Sequence, residues 1–185
     1  MTSPATLSLG TKTIVESNVK LQSERATIRI GRGCYLDTGV VVVPPSRDDE
    51  GEDEDTARIS STTTSSTTIP AHNPKPPTHL PVSIGQNTHI GKNCTVLAAA
   101  IGSNCVIEDG CYIGNRSIVK DNVHICAGSI VADDSFFPPF AVVKGVPAKL
   151  TSMNHESWSN ERKTDSAKCY HQFQLKQQQE TAAEG

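Results

Sequence analysis

The hydrophobic positions of this chain fall on a step of six. From Ile101 they run through Ile107, Ile113, Val119, Ile125 and Val131, and upstream Ile84, Ile90 and Val96 keep the same interval. Ile30, Leu36 and Val42 repeat it earlier still, and Leu9, Val15 and Leu21 do so more weakly. A helix spaces its apolar residues three and four apart, and a coiled coil every seven. A step of six fits neither. The second residue of a unit is often Gly, as at Gly31, Gly85, Gly91, Gly102 and Gly114. The fifth is small or β-branched, as at Cys34, Thr88, Cys94, Cys105, Cys111, Ser117, Val123, Ser129 and Ser135. Each unit reads as a short flat strand and a turn, with the aliphatic and the fifth side chain pointing inward. Three units make a triangular coil of about 18 residues, and coils stack roughly 4.8 Å apart, as paired strands do. The pattern predicts coils at 84–100, 101–118 and 119–136, one near 30–47 and a looser one near 9–26. A single coil cannot bury its inward residues, but a stack buries a narrow continuous core.

The repeat slips once. Within residues 90–102, "IGKNCTVLAAAIG", the aliphatic residue due at position 102 arrives at Ile101. Ala98, Ala99 and Ala100 read as a tight corner without bulk. A second break is longer. The segment 44–82 holds seven of the eleven prolines, nine consecutive Ser/Thr residues at 60–68, and the run "DDEGEDED" at 48–55. Such a composition buries too little apolar surface to fold, so it reads as a disordered, solvated loop at one corner, the alternative being a phosphorylated regulatory segment. The cost of closing so long a loop grows by only about 0.6 kcal/mol per doubling of length.

After Val131 the repeat gives way to "DDSFFPPFAVVKGVPAKL", which contains three of the four phenylalanines. An aromatic, Pro-rich turn here predicts a cover for the open strand edge that ends a β-helix. Thr164 or Asp165 can cap a helix running to about residue 180, with Ala167, Tyr170 and Phe173 on one face. Two readings of that helix stand: it packs along the side of the coils, or it binds a partner. The predicted organisation is a β-helix over 1–150, interrupted at about 44–82, then a linker and helix over 151–185.

Charge adds little. The net charge of −3 includes seven of the 20 acidic residues packed into positions 48–55, so the body is close to neutral. That excludes the basic footprint of a nucleic-acid binder. No apolar run reaches the ~18 residues of a membrane span. The N-terminus "MTSPATLSLG" lacks the blocks of a signal peptide. The expectation is a cytosolic chain without membrane insertion, its six cysteines reduced. None of them has zinc-finger spacing. Cys34, Cys94, Cys105 and Cys111 take inward fifth positions and read as small core fillers.

The hexamer pattern resembles the hexapeptide-repeat, left-handed parallel β-helix family. That resemblance implies an all-β solenoid with a C-terminal α-helix. Many members are acyltransferases with a histidine general base at a subunit cleft. The candidates are His89 and His124. Each precedes an inward aliphatic residue, so each points outward, and neither has the His, Asp and Arg neighbours of that site. Both read as solvent-facing. A second resemblance is to the γ-class carbonic anhydrases, whose zinc is held by three histidines. Where that family has Arg-Gly-Asp, this chain has Gln22, Ser23 and Glu24. Where it has histidines, this chain has Lys92 and Ala98, and the stretch is one residue short. No catalytic, cofactor-binding or metal-binding residue is therefore assigned, and no cofactor is expected.

A closer resemblance rests on "KTIVESNVKLQSERATIRIGRGCYLDTGVVVVPP", "LPVSIGQNTHIGKNCTVLAAAIGSNCVIEDGCYIG", "SFFPPFAVVKGVPAKL" and "AKCYHQF". Together these are similar to the dynactin subunit 5 family. The resemblance implies a non-catalytic subunit of the dynactin pointed-end complex in the microtubule-associated cytoplasm. The implied partners are dynactin subunit 6, which is a second β-helix, dynactin subunit 4, the pointed-end actin-related protein and dynein cargo adaptors serving cargo such as early endosomes. The contacting residues are unknown from sequence. A hexapeptide-repeat acyltransferase and a degenerate anhydrase are the alternatives.

Overall fold

A six-residue unit has room for two extended residues and a four-residue corner, and the chain uses it that way. The computed structural model describes residues 6–46 and 79–183, with side chains to residue 179. The acidic run and the Ser/Thr run, with the reading of that stretch as a disordered loop, lie outside the described residues. The first coil contains β1 (Leu7–Leu9), β2 (Ile14–Val15) and β3 (Lys20–Leu21). The second contains β4 (Ile28–Ile30), β5 (Tyr35–Leu36) and β6 (Val41–Val42). The third contains β7 (Val82–Ile84), β8 (His89–Ile90) and β9 (Thr95–Val96). The fourth contains β10 (Ala100–Ile101), β11 (Val106–Ile107) and β12 (Tyr112–Ile113). The fifth contains β13 (Ile118–Val119), β14 (His124–Ile125) and β15 (Ile130–Val131). A sixth, partial coil contains β16 (Phe136–Phe137) and β17 (Ala141–Gly145). It is followed by β18 (Ala148–Met153) and the helix α1 (Trp158–Ala183).

Strands of successive coils pair in parallel and form three flat faces. The first face is β1-β4-β7-β10-β13-β16, the second β2-β5-β8-β11-β14-β17-β18 and the third β3-β6-β9-β12-β15. Only β17 with β18 is antiparallel among the named pairs, with a bulge between Val142 and Val143. Registers join like positions. Ile84 lies beside Ile101 and Ile101 beside Val119, while Ile90 lies beside Ile107 and Ile107 beside Ile125. The inward column is close-packed, with Leu36, Ile90, Ile107, Ile113 and Ile125 fully buried.

The corners explain the rest of the hexamer. Most turn through one left-handed residue, supplied at nine corners by Asn18, Asn87, Asn93, Asn104, Asn122, Gly33, Gly39, Gly110 and Gly128 and at four others by Lys12, Arg116, Asp134 and Phe140. Asn and Gly tolerate that conformation best. The second-position Gly has a different cause. A Cβ on Gly85 would lie 2.5 Å from the carbonyl carbon of Gly102 in the next coil, so the stacked backbones leave it no room.

Two expectations change. The repeat continues past Val131, because Phe137 and then Val143 occupy the inward slot at the same step of six, 7% and 0% exposed. The aromatic segment is thus a further coil. The closing strand at that end is β18, which folds back on β17. At the opposite end β1, β2 and β3 have no outer neighbour among the described residues, and Leu7, Leu9 and Val15 are exposed.

Packing inside the rod should dominate stability. Ile107→Ala, which empties a fully buried slot at mid-stack, should cost about 2–5 kcal/mol in urea unfolding. Ile118→Ala on an outward position should stay within roughly 0.5 kcal/mol.

Candidate functional site

Two features depart from a bare rod: the corner where the third and first faces meet, and the helix on the second face. At that corner the second coil releases the long segment after Ser46 and takes it back at His79, which bridges Ser46 in antiparallel fashion. Leu80 N–H donates to the Pro45 carbonyl at 2.8 Å, and Pro44 and Pro45 are buried. In the next coil the same corner is the slipped one. None of Leu97, Ala98 and Ala99 is left-handed, so the missing residue is the one that makes the standard turn. Ala98 points into the core and is fully buried.

The stem of the segment crosses this shortened corner and lands one coil further on. Ser46 N–H donates to Asn115 Oδ1 at 3.1 Å, and Asn115 Nδ2 donates back to the Ser46 carbonyl at 3.2 Å. Arg116 Nη1 reaches the same carbonyl at 3.3 Å, while its Nε and Nη2 form a two-pronged pair with Asp134 at 2.8 and 2.7 Å. The slipped corner thus lies between the coil that releases the stem and the coil that holds it.

The helix α1 begins at Trp158, six residues before the expected cap at Thr164. The Ser157 carbonyl accepts from the N–H groups of Asn160 and Glu161, and its hydroxyl donates to Glu161 Oε1 at 3.0 Å. Its covered face is Trp158, Arg162, Asp165, Ser166, Cys169, Tyr170 and Phe173, while Ala167 is exposed. It runs along the second face from the fifth coil back toward the first. Trp158 stacks on His124 of β14, the Ser166 hydroxyl donates to the Gly33 carbonyl ahead of β5, and Lys12 ahead of β2 lies 5.9 Å from the Tyr170 ring centre. Twelve helical residues rise about 18 Å, and four coil steps span about 19 Å. The matching lengths let side chains one helical turn apart meet successive coils.

This cover overturns the solvent-facing reading of the two histidines. Both point outward from the coils, into the helix or its flank. His89 meets Tyr35 edge-on at 5.2 Å, and its Nε2 is buried with no hydrogen-bond partner among the described residues. Burial beneath α1 holds His89 below the ordinary histidine value. His124 stacks on Trp158 at 5.2 Å and shares a 2.8 Å hydrogen bond with Glu108 Oε1. Glu108 Oε2 accepts from the Ala127 N–H at 2.8 Å; that bond first, and His124 after it, hold the carboxyl below its ordinary value. The thiol of Cys126 completes a group of three ligand atoms within 4.8 Å of one another. Spacing analysis missed this group because Glu108 comes from one coil and His124 and Cys126 from the next.

The inward cysteines act as fillers and as donors. Cys34 Sγ donates to the Gly85 carbonyl at 2.9 Å and Cys105 Sγ to the Lys120 carbonyl at 3.1 Å, each bridging to the next coil. Burial pushes Cys34 to about 11 and Cys105 to about 12. A cleft of about 390 Å³ lies between α1 and the corner of the first two faces, lined by Lys12, Arg32, Gln86, Lys163 and Tyr170. At the positions corresponding to the anhydrase ligands, Lys92 is exposed and Ala98 faces the core.

This architecture defines a class, the left-handed parallel β-helix of hexapeptide repeats. A hexapeptide transferase family protein from Anaplasma phagocytophilum shares the fold, with a TM-score of 0.57 and 17% identity over 89% of this chain and 75% of that one. A maltose O-acetyltransferase from Clostridium difficile 630 matches at a TM-score of 0.43, with 20% identity over 81% of this chain and 60% of that chain. No curated protein matches the sequence. Residues 65–180, more than half of the chain, match the family described as Dynactin subunit 5, and the chain belongs to that family. No helix is long and apolar enough to cross a membrane among the described residues.

His89 provides a pH test of the helix cover. The unfolded chain takes up a proton at His89 as pH falls through 6.5, whereas the folded chain resists it. Stability contributed by the buried neutral ring is present above that value and lost as pH falls below it. Thermal unfolding should show a steeper loss between about pH 7 and 5 in the parent than in His89→Gln. Equal slopes would contradict the buried placement.

Proposed function

We propose that the chain is a non-catalytic structural subunit of the dynactin pointed-end complex, supporting dynein-driven transport along microtubules. Its partners in this reading are dynactin subunit 6, dynactin subunit 4, the pointed-end actin-related protein and cargo adaptors, in the cytoplasm. Family membership supports the reading. The observation that carries it is the outward surface of the two faces that α1 leaves uncovered. On the first face Ile118 and Phe136 are adjacent in register and 37% and 59% exposed. On the third face Tyr112 and Ile130 are adjacent and 40% and 43% exposed. Flat apolar ladders of this kind suit protein contacts, where aromatic side chains are enriched. His89 is roofed and His124 is stacked, which also favours a scaffold over the acyltransferase alternative.

Purification of the tagged chain from its own cells should recover actin-related proteins and a second β-helix subunit. Phe136→Asp with Ile118→Asp should weaken that recovery at least several-fold while leaving the circular dichroism spectrum unchanged. Recovery of a free homotrimer alone, or acetyl-CoA turnover abolished by His124→Ala, would overturn the proposal.

A further inference from the structure

The cluster at the second face has a use that neither scaffolding nor the helix contact needs. We propose that Glu108, His124 and Cys126 form a zinc site that clamps the fourth coil to the fifth. Carboxylate oxygen, imidazole nitrogen and thiol sulfur are the donor types that zinc accepts together, and three protein ligands leave one position open to water. Thiolate and imidazole favour zinc over magnesium or calcium, which take oxygen ligands. The three ligand atoms lie within 4.8 Å of one another, so small side-chain rotations bring them to the roughly 2.0–2.3 Å bond lengths that zinc takes.

Two of the three side chains are already fixed. Glu108 is fastened through Oε2 to the Ala127 N–H at 2.8 Å, and its Oε1 sits 2.8 Å from His124 Nε2. The imidazole plane is set by Trp158, whose ring lies 26° from parallel at 5.2 Å. Trp158 is itself anchored through Nε1 to the Asn104 carbonyl at 3.0 Å. Such supporting contacts orient metal ligands and restrict the conformations they must give up on binding. Cys126 follows His124 by two residues, just past the end of β14 and on the same outward side, and is half-buried, so an ion can reach it.

Binding forms three bonds to zinc. The Cys126 sulfur gives up its proton to the buffer as it coordinates; the Nε2 proton that His124 shares with Glu108 passes through solvent to Nδ1, and that hydrogen bond is replaced by a bond from Nε2 and from Oε1 to the ion. No electron transfer is involved. The ion would cross-link two coils that already pair through β11 and β14, and would stiffen the point where α1 begins.

The test uses the full chain, treated with chelator and then titrated with zinc chloride alone. One ion per chain should bind, with about one proton released, read as a dependence of the calorimetric enthalpy on buffer ionisation. Cobalt(II) in place of zinc should show a thiolate charge-transfer band in the near ultraviolet. Cys126→Ser should abolish that band. Glu108→Gln, on a partly exposed side chain that leaves the fold intact, should weaken binding by more than the roughly 10–100-fold that loss of an outer-shell contact costs. Cys169→Ser, outside the cluster, should change neither. Absence of the band in the parent chain, or binding unaltered in both cluster variants, would overturn the proposal.

Discussion

Everything in this molecule depends on coils stacking in register. Each strand from β1 to β16 is two or three residues long and would not persist alone. It holds because the strands of adjacent coils accept and donate the backbone hydrogen bonds, and because like residues fall into one inward column. That constraint sets the interval of six, the left-handed Asn or Gly at most corners and the Gly wherever stacked backbones approach too closely for a Cβ. It also explains why thiols are welcome inside. They are compact, and their protons reach the carbonyl of the neighbouring coil.

The one place where the count fails is where the rod carries its largest addition. The stem at Ser46 and His79 leaves one coil, passes the shortened Ala corner of the next, and is gripped by Asn115 and Arg116 of the coil after that. Read from sequence, the same corner was notable for a missing zinc ligand at Ala98. In the structure Ala98 is core, and the shortened corner lies between the stem and the residues that grip it.

The coils were legible because aliphatic periodicity reports directly on an inward column. Phe137 and Val143 were missed because a phenylalanine in that column broke the aliphatic rule while keeping the step. The position of α1 was less legible for a physical reason. Its covered face is Trp158, Arg162, Asp165, Ser166, Cys169, Tyr170 and Phe173, where Arg, Asp and Ser alternate with aromatics and a thiol, so the hydrophobic contrast between its faces is weak. The periodicity of the coils places His89 and His124 on the outward side, and only the path of α1 decides that this side is roofed. The group of Glu108, His124 and Cys126 was invisible for another reason: it exists only after residues sixteen and eighteen apart are stacked.

The central claim is that the two uncovered faces are contact surfaces for partner proteins and the covered one is not. Hydroxyl-radical footprinting of the chain alone and in its purified complex tests this directly. Phe136 and Tyr112 should lose most of their labelling on assembly, while Trp158, the first residue of α1 and turned onto the second face, should be labelled equally in both states. Labelling of Phe136 and Tyr112 that is as strong in the complex as in the isolated chain would contradict it.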